Sequence, residues 1–548
     1  MIVLRSDPWA RAVRTKLRAL TGYTVFVESP RVERNPNDRA PLVFFIQFST
    51  DVPVSPVLEI SSEDRQWSYR PAVGRRRDHR LALVGLRAGQ THQIRVVLKS
   101  SGGWLLEESE PLTVETPPLP DDFPPLETVV SKPEKMEPGV TLFVPNRWKD
   151  NVTDMDFGYI TALDEQGEVV WYYESRHRTA DLRLLKNGNL LYNFAAYYDA
   201  IEVDWLGNIV HWWHANNLIH PPTKESIPLN ADTLHHEVLE MPSGNLLALT
   251  TELRKIVDYP SSETDPDSPP EDGDVVGDVI IEFTRSGDIL HRWHLLDLLD
   301  PYRIGYGSLS DFWKAKYNEQ FGVKSLDWSH ANAICYDEEN DAFIVSVRHQ
   351  DCLVKIDRQS GRLVWILGNP EGWRAPWRDY LLQPRGDLEW PYHQHGPQLT
   401  PAGTILLYDN GNYRATPFEP KTSPRENYSR VVEYRVDETE MIVTQVWEYR
   451  ENGDHPSYCP LYGEADWMPQ TGNILITDGG HIETEKGIPS NTVPSDYQWA
   501  RILEVTHDTP AEKVFEVRVD SGPESTLGWS IYRSQRLPDT QTLSDLVR

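Results

Sequence analysis

Cysteine is scarce, with 3 residues in a chain of 548. Three thiols cannot build a disulfide framework, so the fold must rest on its own apolar core. Methionine is scarce too, at 6. No apolar run approaches the roughly 18 residues of a membrane span. Basic residues are outnumbered, 54 Lys+Arg against 83 Asp+Glu, giving a formal charge of −29. That balance argues against nucleic acid as the main partner, because a polyanion is bound by concentrated positive charge. The start, MIVLRSDPWARAVRTKLRALTG, lacks the roughly 7–15-residue apolar segment of a secretory signal. It reads as a basic amphipathic helix over 1–22, with Asp7 as cap, Pro8 in the first turn, and Trp9, Val13, Leu17 and Leu20 on one face. A cytoplasmic location is expected on that ground.

What the chain has instead is tryptophan, 19 of them, with 42 Pro and 33 Gly. Hydrophobic residues at 39% and charged residues at 25% are the proportions of a globular protein. At about 150 residues per domain the length fits two to four domains, or one repeat fold of about 400 residues beside a small domain. Residues 23–116 alternate apolar and polar at period two, as in PLVFFIQFST and HQIRVVLKS. This predicts a small β-sandwich of immunoglobulin or fibronectin-III type. A Pro-rich stretch over 117–138 predicts an extended linker.

Residues 139–548 repeat. One element is a tight turn followed by an apolar strand: EPGVTLFVP, LKNGNLLYNF, MPSGNLLALT, ENDAFIVSV, TPAGTILLYD, QTGNILITDG. Its partner is a strand, a polar turn and a strand ending in an aromatic: Trp171, Trp212, Trp293, Trp365, Trp447 and Phe515. Six such pairs predict an all-β, six-bladed β-propeller, with the aromatics packing between blades. The first blade lacks an inner strand and the last is followed by a spare one. Residues 528–538 are therefore expected to close the ring as innermost strand of the first blade. The acidic stretch 261–278 matches no calcium-loop spacing and is expected to be a solvated, mobile insertion in the third blade.

Three inner strands begin with histidine: His236, His330 and His395. Equivalent positions in different blades place these imidazoles at one mouth of the central channel. The following strands return there with Arg348, His349, Asp409, Asn410 and Asp478. Asn332 shares the face of His330, whereas His349, next to Arg348, should point away by strand alternation. His235 and His393 neighbour the set with less regular placement. Two chemistries use several histidines and one arginine without a matched Ser or Cys nucleophile. The histidines could ligate a metal, although Arg348 would sit beside a dication. Alternatively one histidine is a nucleophile and the cations hold an anion, which suits sulfuryl or phosphoryl transfer. A non-catalytic propeller that binds an anion or a protein is a third reading.

The stretch DWSHANAICYDEENDAFIVSVRHQDCLVKIDRQSGRLVWILG resembles bacterial aryl-sulfate sulfotransferases, the kind independent of PAPS, the adenylyl-sulfate cofactor. HHEVLEMPSGNLLAL does so too, and YHQHGPQL more loosely. The resemblance implies a ping-pong transfer from a phenolic sulfate donor to a phenolic acceptor, without cofactor or metal. It places the sulfated histidine at His395 and further site residues at His236, His330, Asn332 and Arg348. Arg348 and Asn332 would hold the sulfuryl oxygens, while His330 and His236 would serve the phenol's proton. Tyr197, Tyr198 or Trp390 could stack on the aryl ring. Exported members of the family carry a signal, which makes export the family-based alternative for location. Some members carry a disulfide near the site. Here one strand separates Cys335 from Cys352, about 9–10 Å, beyond disulfide reach. The N-terminal helix and the sandwich offer surfaces on which a homodimer could form.

Overall fold

The computed structural model describes residues 24–537 and 544–545, apart from 64, 101–102, 151, 195–197, 216–224, 452–456, 485–486 and 492–496. The helix expected over 1–22 and the aromatic Tyr197 lie outside the described residues. Among the described residues the chain is all-β, with helix confined to short pieces such as Leu295–Leu298 and the adjoining Lys314–Asn318 and Glu319–Phe321. Among the described residues, no helix is long and apolar enough to cross a membrane.

The chain divides into two compact units. The first comprises the described residues up to Asp121, with Val169–Trp171 and 544–545; the second runs from Asp122 to Leu537 apart from Val169–Trp171. In the first unit the long strand Phe44–Ser61 is shared between two sets of partners. Its first half pairs with Phe26–Arg34 and Arg76–Leu83, its second with Gln66–Tyr69 and Thr91–Lys99. Alternation along it puts Ile46, Phe48, Leu58 and Ile60 into one core with Ile94 and Val96.

The second unit holds six sheets of four or five strands in succession, antiparallel except for one short parallel pairing in each of the second, third and fifth. Their first strands are Leu527–Leu537, Leu182–Leu184, His235–Glu240, Ala331–Asp337, His395–Leu399 and Glu464–Trp467. These neighbour one another in a closed circuit, Leu527–Leu537 meeting both Leu182–Leu184 and Glu464–Trp467, and Arg183 of Leu182–Leu184 donating to Glu237 of His235–Glu240 at 3.0 Å. Leu527–Leu537 also pairs antiparallel with Val140–Lys149, so the chain's last strand lies in the same sheet as the unit's early strands. A second closure escaped the sequence reading. Within the stretch expected as a linker, Leu126–Ser131 is a strand that pairs with Lys513–Val519, outermost in the sixth sheet. Its proline-free run LETVV supplies the donors that flanking prolines cannot, and the open edge of Lys513–Val519 takes them up.

The repeated aromatics pack from sheet to sheet. Trp293 meets Phe343 of the next sheet edge-on at 4.9 Å, and Trp365 donates across to Glu438 at 2.9 Å. In the second sheet the packing residue is Trp213, not the expected Trp212. Trp213 meets Phe283 at 6.1 Å and donates to the Arg285 carbonyl at 3.0 Å. Counted from the turn glycines Gly207 and Gly287, Trp213 and Trp293 hold the same position.

The acidic insertion is not a free loop. Leu246–Tyr259 and Glu271–Phe283 form a long hairpin. At its tip Glu263 Oε1 accepts from the Gly307 and Leu309 amides at 2.9 and 3.0 Å. Those two bonds fix the loop that carries Ser310 and Phe312 toward the cavity described next.

Candidate active site

A cavity of about 510 Å³ opens in the second unit at the starts of three first strands. His236, His330 and His395 all line it, and so do His235, His349 and His393. The local backbone explains why. Each of the three strands has a break in register at the histidine: between His235 and Val238, Ala331 and Ala333, and His395 and Gln398. A bulge of this kind re-aims a side chain out of the regular pleat. Left-handed φ values accompany it: 56° at His236, 46° at His330 and 53° at Gly396. Such conformations persist only where the surroundings enforce them. At Gly396 the reason is contact, since an added Cβ would lie 2.9 Å from Glu464 Cγ and 3.0 Å from Glu464 Cα.

His395 has a fixed tautomer. The Asn410 amide nitrogen donates to the carbonyls of Cys459 and Tyr462 at 2.9 and 2.6 Å, so its Oδ1 must accept. That oxygen lies 2.6 Å from His395 Nδ1, which therefore carries the proton. Nε2 is left with its lone pair. Burial first, then the Arg348 charge, pushes the His395 pKa down to about 3, so the ring is neutral near pH 7. The tripeptide around it is clamped. Asp351 Oδ1 accepts from the backbone and the Nδ1 of His393, both at 2.8 Å. The Gln394 carbonyl accepts from Asn332 Nδ2 at 2.8 Å and from Ser346 Oγ at 3.0 Å.

Asn332 thus serves the backbone beneath His395 and does not line the cavity. His349, expected to point away, does line it. Strand Ala342–Val347 ends just before Arg348, and a single 3₁₀ turn over Arg348–Gln350 cancels the alternation that the expectation relied on. His349 Nδ1 donates to the Asp327 carbonyl at 2.7 Å, leaving Nε2 to accept from the Arg348 guanidinium at 3.0 Å. His349 stacks on His330 at 4.6 Å, and His330 lies 5.0 Å from His236. His330 Nδ1 donates to Asp327 Oδ2 at 2.6 Å, which frees Nε2. Burial is the leading cause that lowers the pKa of His236, His330, His349 and His393.

Asp409 and Asp478 stand apart from the cavity lining. Asp409 is paired with Arg430 and Arg414, and Asp478 with Arg501 and His481. Arg348 has no ion pair among the described residues and neither has Arg178, a second cation on the lining that the sequence reading missed. The lining therefore combines five histidines whose pKa values burial lowers, aromatic rings, and two guanidinium groups without an ion pair among the described residues, a surround for an anion. Phe312 is 55% exposed and meets His330 edge-on at 4.6 Å, and Tyr198 and Trp313 continue the aromatic wall. Trp390 packs elsewhere, against the core between the fourth and fifth sheets.

Asp327, His330 and His349 bring metal-ligand atoms within 4.8 Å of one another. The lone pairs fit a metal poorly: His349 Nδ1 is a donor and its Nε2 faces Arg348. Cys335 and Cys352 are free thiols on strands that flank Ala342–Val347.

The family model described as Arylsulfotransferase (ASST) matches residues 126–533. The arylsulfate sulfotransferase AssT of Escherichia coli O6:H1 is 27% identical over 309 residues, 50% of this chain and 49% of that protein. The protein of the same description from Lelliottia amnigena is 29% identical over 376 residues, 60% of this chain and 59% of its own length. The chain thus spans between half and three-fifths of the curated relatives it matches. A solved streptogramin B lyase aligns over 71% of this chain and 86% of its own at 10% identity and TM-score 0.33, too weak a likeness to bear on fold or function. The chain belongs to the arylsulfotransferase family.

Proposed function

We propose that the chain moves a sulfuryl group from an aryl sulfate ester to a phenolic acceptor, in a ping-pong cycle through a sulfated His395. The reading takes the six sheets as blades of a β-propeller, preceded in the sequence by an immunoglobulin-like sandwich; the closed circuit of first strands supports the propeller. The observation that carries the chemistry is the His395 tautomer. A neutral, buried imidazole with Nδ1–H held by Asn410 presents Nε2 as a nucleophile. Its lone pair forms the N–S bond while the S–O bond to the aryl group breaks, and the electron pair departs on the phenolate. The sulfated ring gains positive charge, which Asn410 Oδ1 stabilises through Nδ1–H. A second phenol then attacks sulfur, and the pair of the N–S bond returns to Nε2. Overall one proton moves from the acceptor to the departed phenolate, and the free Nε2 of His330 is placed to carry it. His236 stands beside it as a second base.

Arg348 would hold the sulfuryl oxygens, with its guanidinium oriented by His349, and act on charge that develops in the transition state. Asn332 contributes by fixing the Gln394 carbonyl. A metal reading is disfavoured by the donor set of His349. Simple anion binding is separated from catalysis by incubation with 4-nitrophenyl sulfate. Nitrophenol release beyond one equivalent per site should require an added phenol, all release should vanish in His395→Ala, and a sulfated peptide containing His395 should appear by mass spectrometry. Full turnover in His395→Ala would overturn the assignment.

A further inference from the structure

The cavity carries a cation that the sulfuryl-transfer step does not use. Arg178 lines it and makes no ion pair among the described residues. Its Nε is buried without a hydrogen-bond partner. One terminal nitrogen donates to the Tyr462 hydroxyl at 2.8 Å. A hydroxyl that accepts from a guanidinium has its own proton left to give. Arg178, through its terminal nitrogens, and Tyr462 thus bring cationic N–H and neutral O–H donors to the cavity lining, and neither is bonded to a carboxylate among the described residues. An unpaired donor of this kind is expensive unless a ligand or water completes it.

Both guanidinium groups line the cavity that holds the imidazole cluster. Arg348 bears on His330, His349, His393 and His395, whereas Arg178 bears on His236. Tyr198, Phe312 and Trp313 line the cavity as an aromatic wall. A volume of about 510 Å³ is in the range of sites that enclose whole ring systems with substituents.

We propose that Arg178 and Tyr462 form a second anion subsite, and that the preferred substrates are phenols or aryl sulfates bearing a carboxylate on the ring. This rests on the sulfuryl-transfer reading for the identity of the reacting group. The carboxylate binds the Arg178 fork while the phenolic oxygen, or its sulfate, lies at His395 and Arg348. Carboxylate is favoured over a neutral polar substituent because the planar guanidinium offers paired donors that a carboxylate matches with two oxygens.

The test compares 4-hydroxybenzoate with its methyl ester, which keep the ring and the phenol but differ in charge. Binding to the full chain is followed by calorimetry, with no sulfate donor present. Transfer is followed separately with 4-nitrophenyl sulfate as donor. The acid should bind about 10- to 100-fold more tightly than the ester, the weight of a charge-assisted bond. Arg178→Gln should erase that ratio, and Arg178→Lys should restore part of it. Equal binding of acid and ester, or a ratio unmoved in Arg178→Gln, would overturn the subsite. Because the ester comparison is made in the unmodified protein, the result survives a variant that fails to fold. Selective binding of the acid without any transfer would sink the sulfotransferase reading and leave the subsite standing. Transfer to both acceptors without selectivity would do the reverse.

Discussion

Replacing Asn410 with leucine should leave His395 in place but remove what decides its tautomer. In the native site Oδ1 of Asn410 accepts from His395 Nδ1 at 2.6 Å, and the amide nitrogen is committed to two carbonyls. In Asn410→Leu the Nδ1–H faces a methyl group in a buried setting. Leaving a buried donor unmet costs about 1–3 kcal/mol. The ring escapes that cost by moving its proton to Nε2, the atom that must attack sulfur. The population of the reactive tautomer, and with it the rate of the first half-reaction, should fall about 5- to 150-fold. The pre-steady-state burst of nitrophenol from 4-nitrophenyl sulfate reads that step directly. The donor KM should change little, because Arg348 is untouched. Asn410→Leu also frees the Cys459 and Tyr462 carbonyls, so the loop there loosens. Asn410→Asp separates the two effects: it keeps an acceptor for Nδ1–H and sets the other oxygen against those carbonyls. It should destabilise the fold yet retain more of the burst rate than Asn410→Leu. A burst in Asn410→Leu as fast as in the native protein would refute the tautomer argument.

Three further outcomes follow from the same geometry. Arg348→Ala should raise the donor KM about 10- to 100-fold, the loss of one charge-assisted anion contact, and equal KM values in steady-state assays would contradict its role. His395 is pushed down to about 3, so it loses its lone pair only as the pH falls toward that value. Burst rates should then be flat from about pH 8 to pH 5, and an acid limb with an apparent pKa near 6.5 would show that burial does not hold the ring neutral. Gly396→Ala combines a left-handed φ of 53° with a Cβ 2.9 Å from Glu464 Cγ. It should lower stability by about 1–3 kcal/mol and displace His395, seen as a reduced Tm together with a reduced burst rate. An unchanged Tm would show that the neighbouring strand yields freely.

Much of the second unit is readable from spacing. Turn motifs such as KNGN and PSGN mark hairpins because a residue at positive φ is required there, and Gly188 and Gly244 adopt 88° and 85°. Histidines at the heads of three repeats could be found by aligning those turns. The aromatics Trp293, Trp365 and Trp447 were legible as packing residues, and the register in VHWWHA was misplaced by one. Leu126–Ser131 was hidden among prolines, since nothing local shows which distant edge a short strand will meet.

Within the site, the residue types available are set along the chain: three histidines at repeat heads, an arginine at the end of VSVR, and an asparagine in DNGN. They are set there because repeat position and strand direction are local properties. Tertiary structure alone decided the division of labour. The 3₁₀ turn after Val347 brings His349 inward to hold Arg348, and the clamp on Gln394 turns Asn332 from a ligand candidate into a support. Arg178 enters from the connection between the first and second sheets, which carries no repeat signature, and Tyr462 comes to it across 284 positions of sequence. Tautomers, unpaired charges and depressed pKa values are properties of assembled surroundings. They exist only once the sheets have closed and excluded water from the imidazoles they bring together.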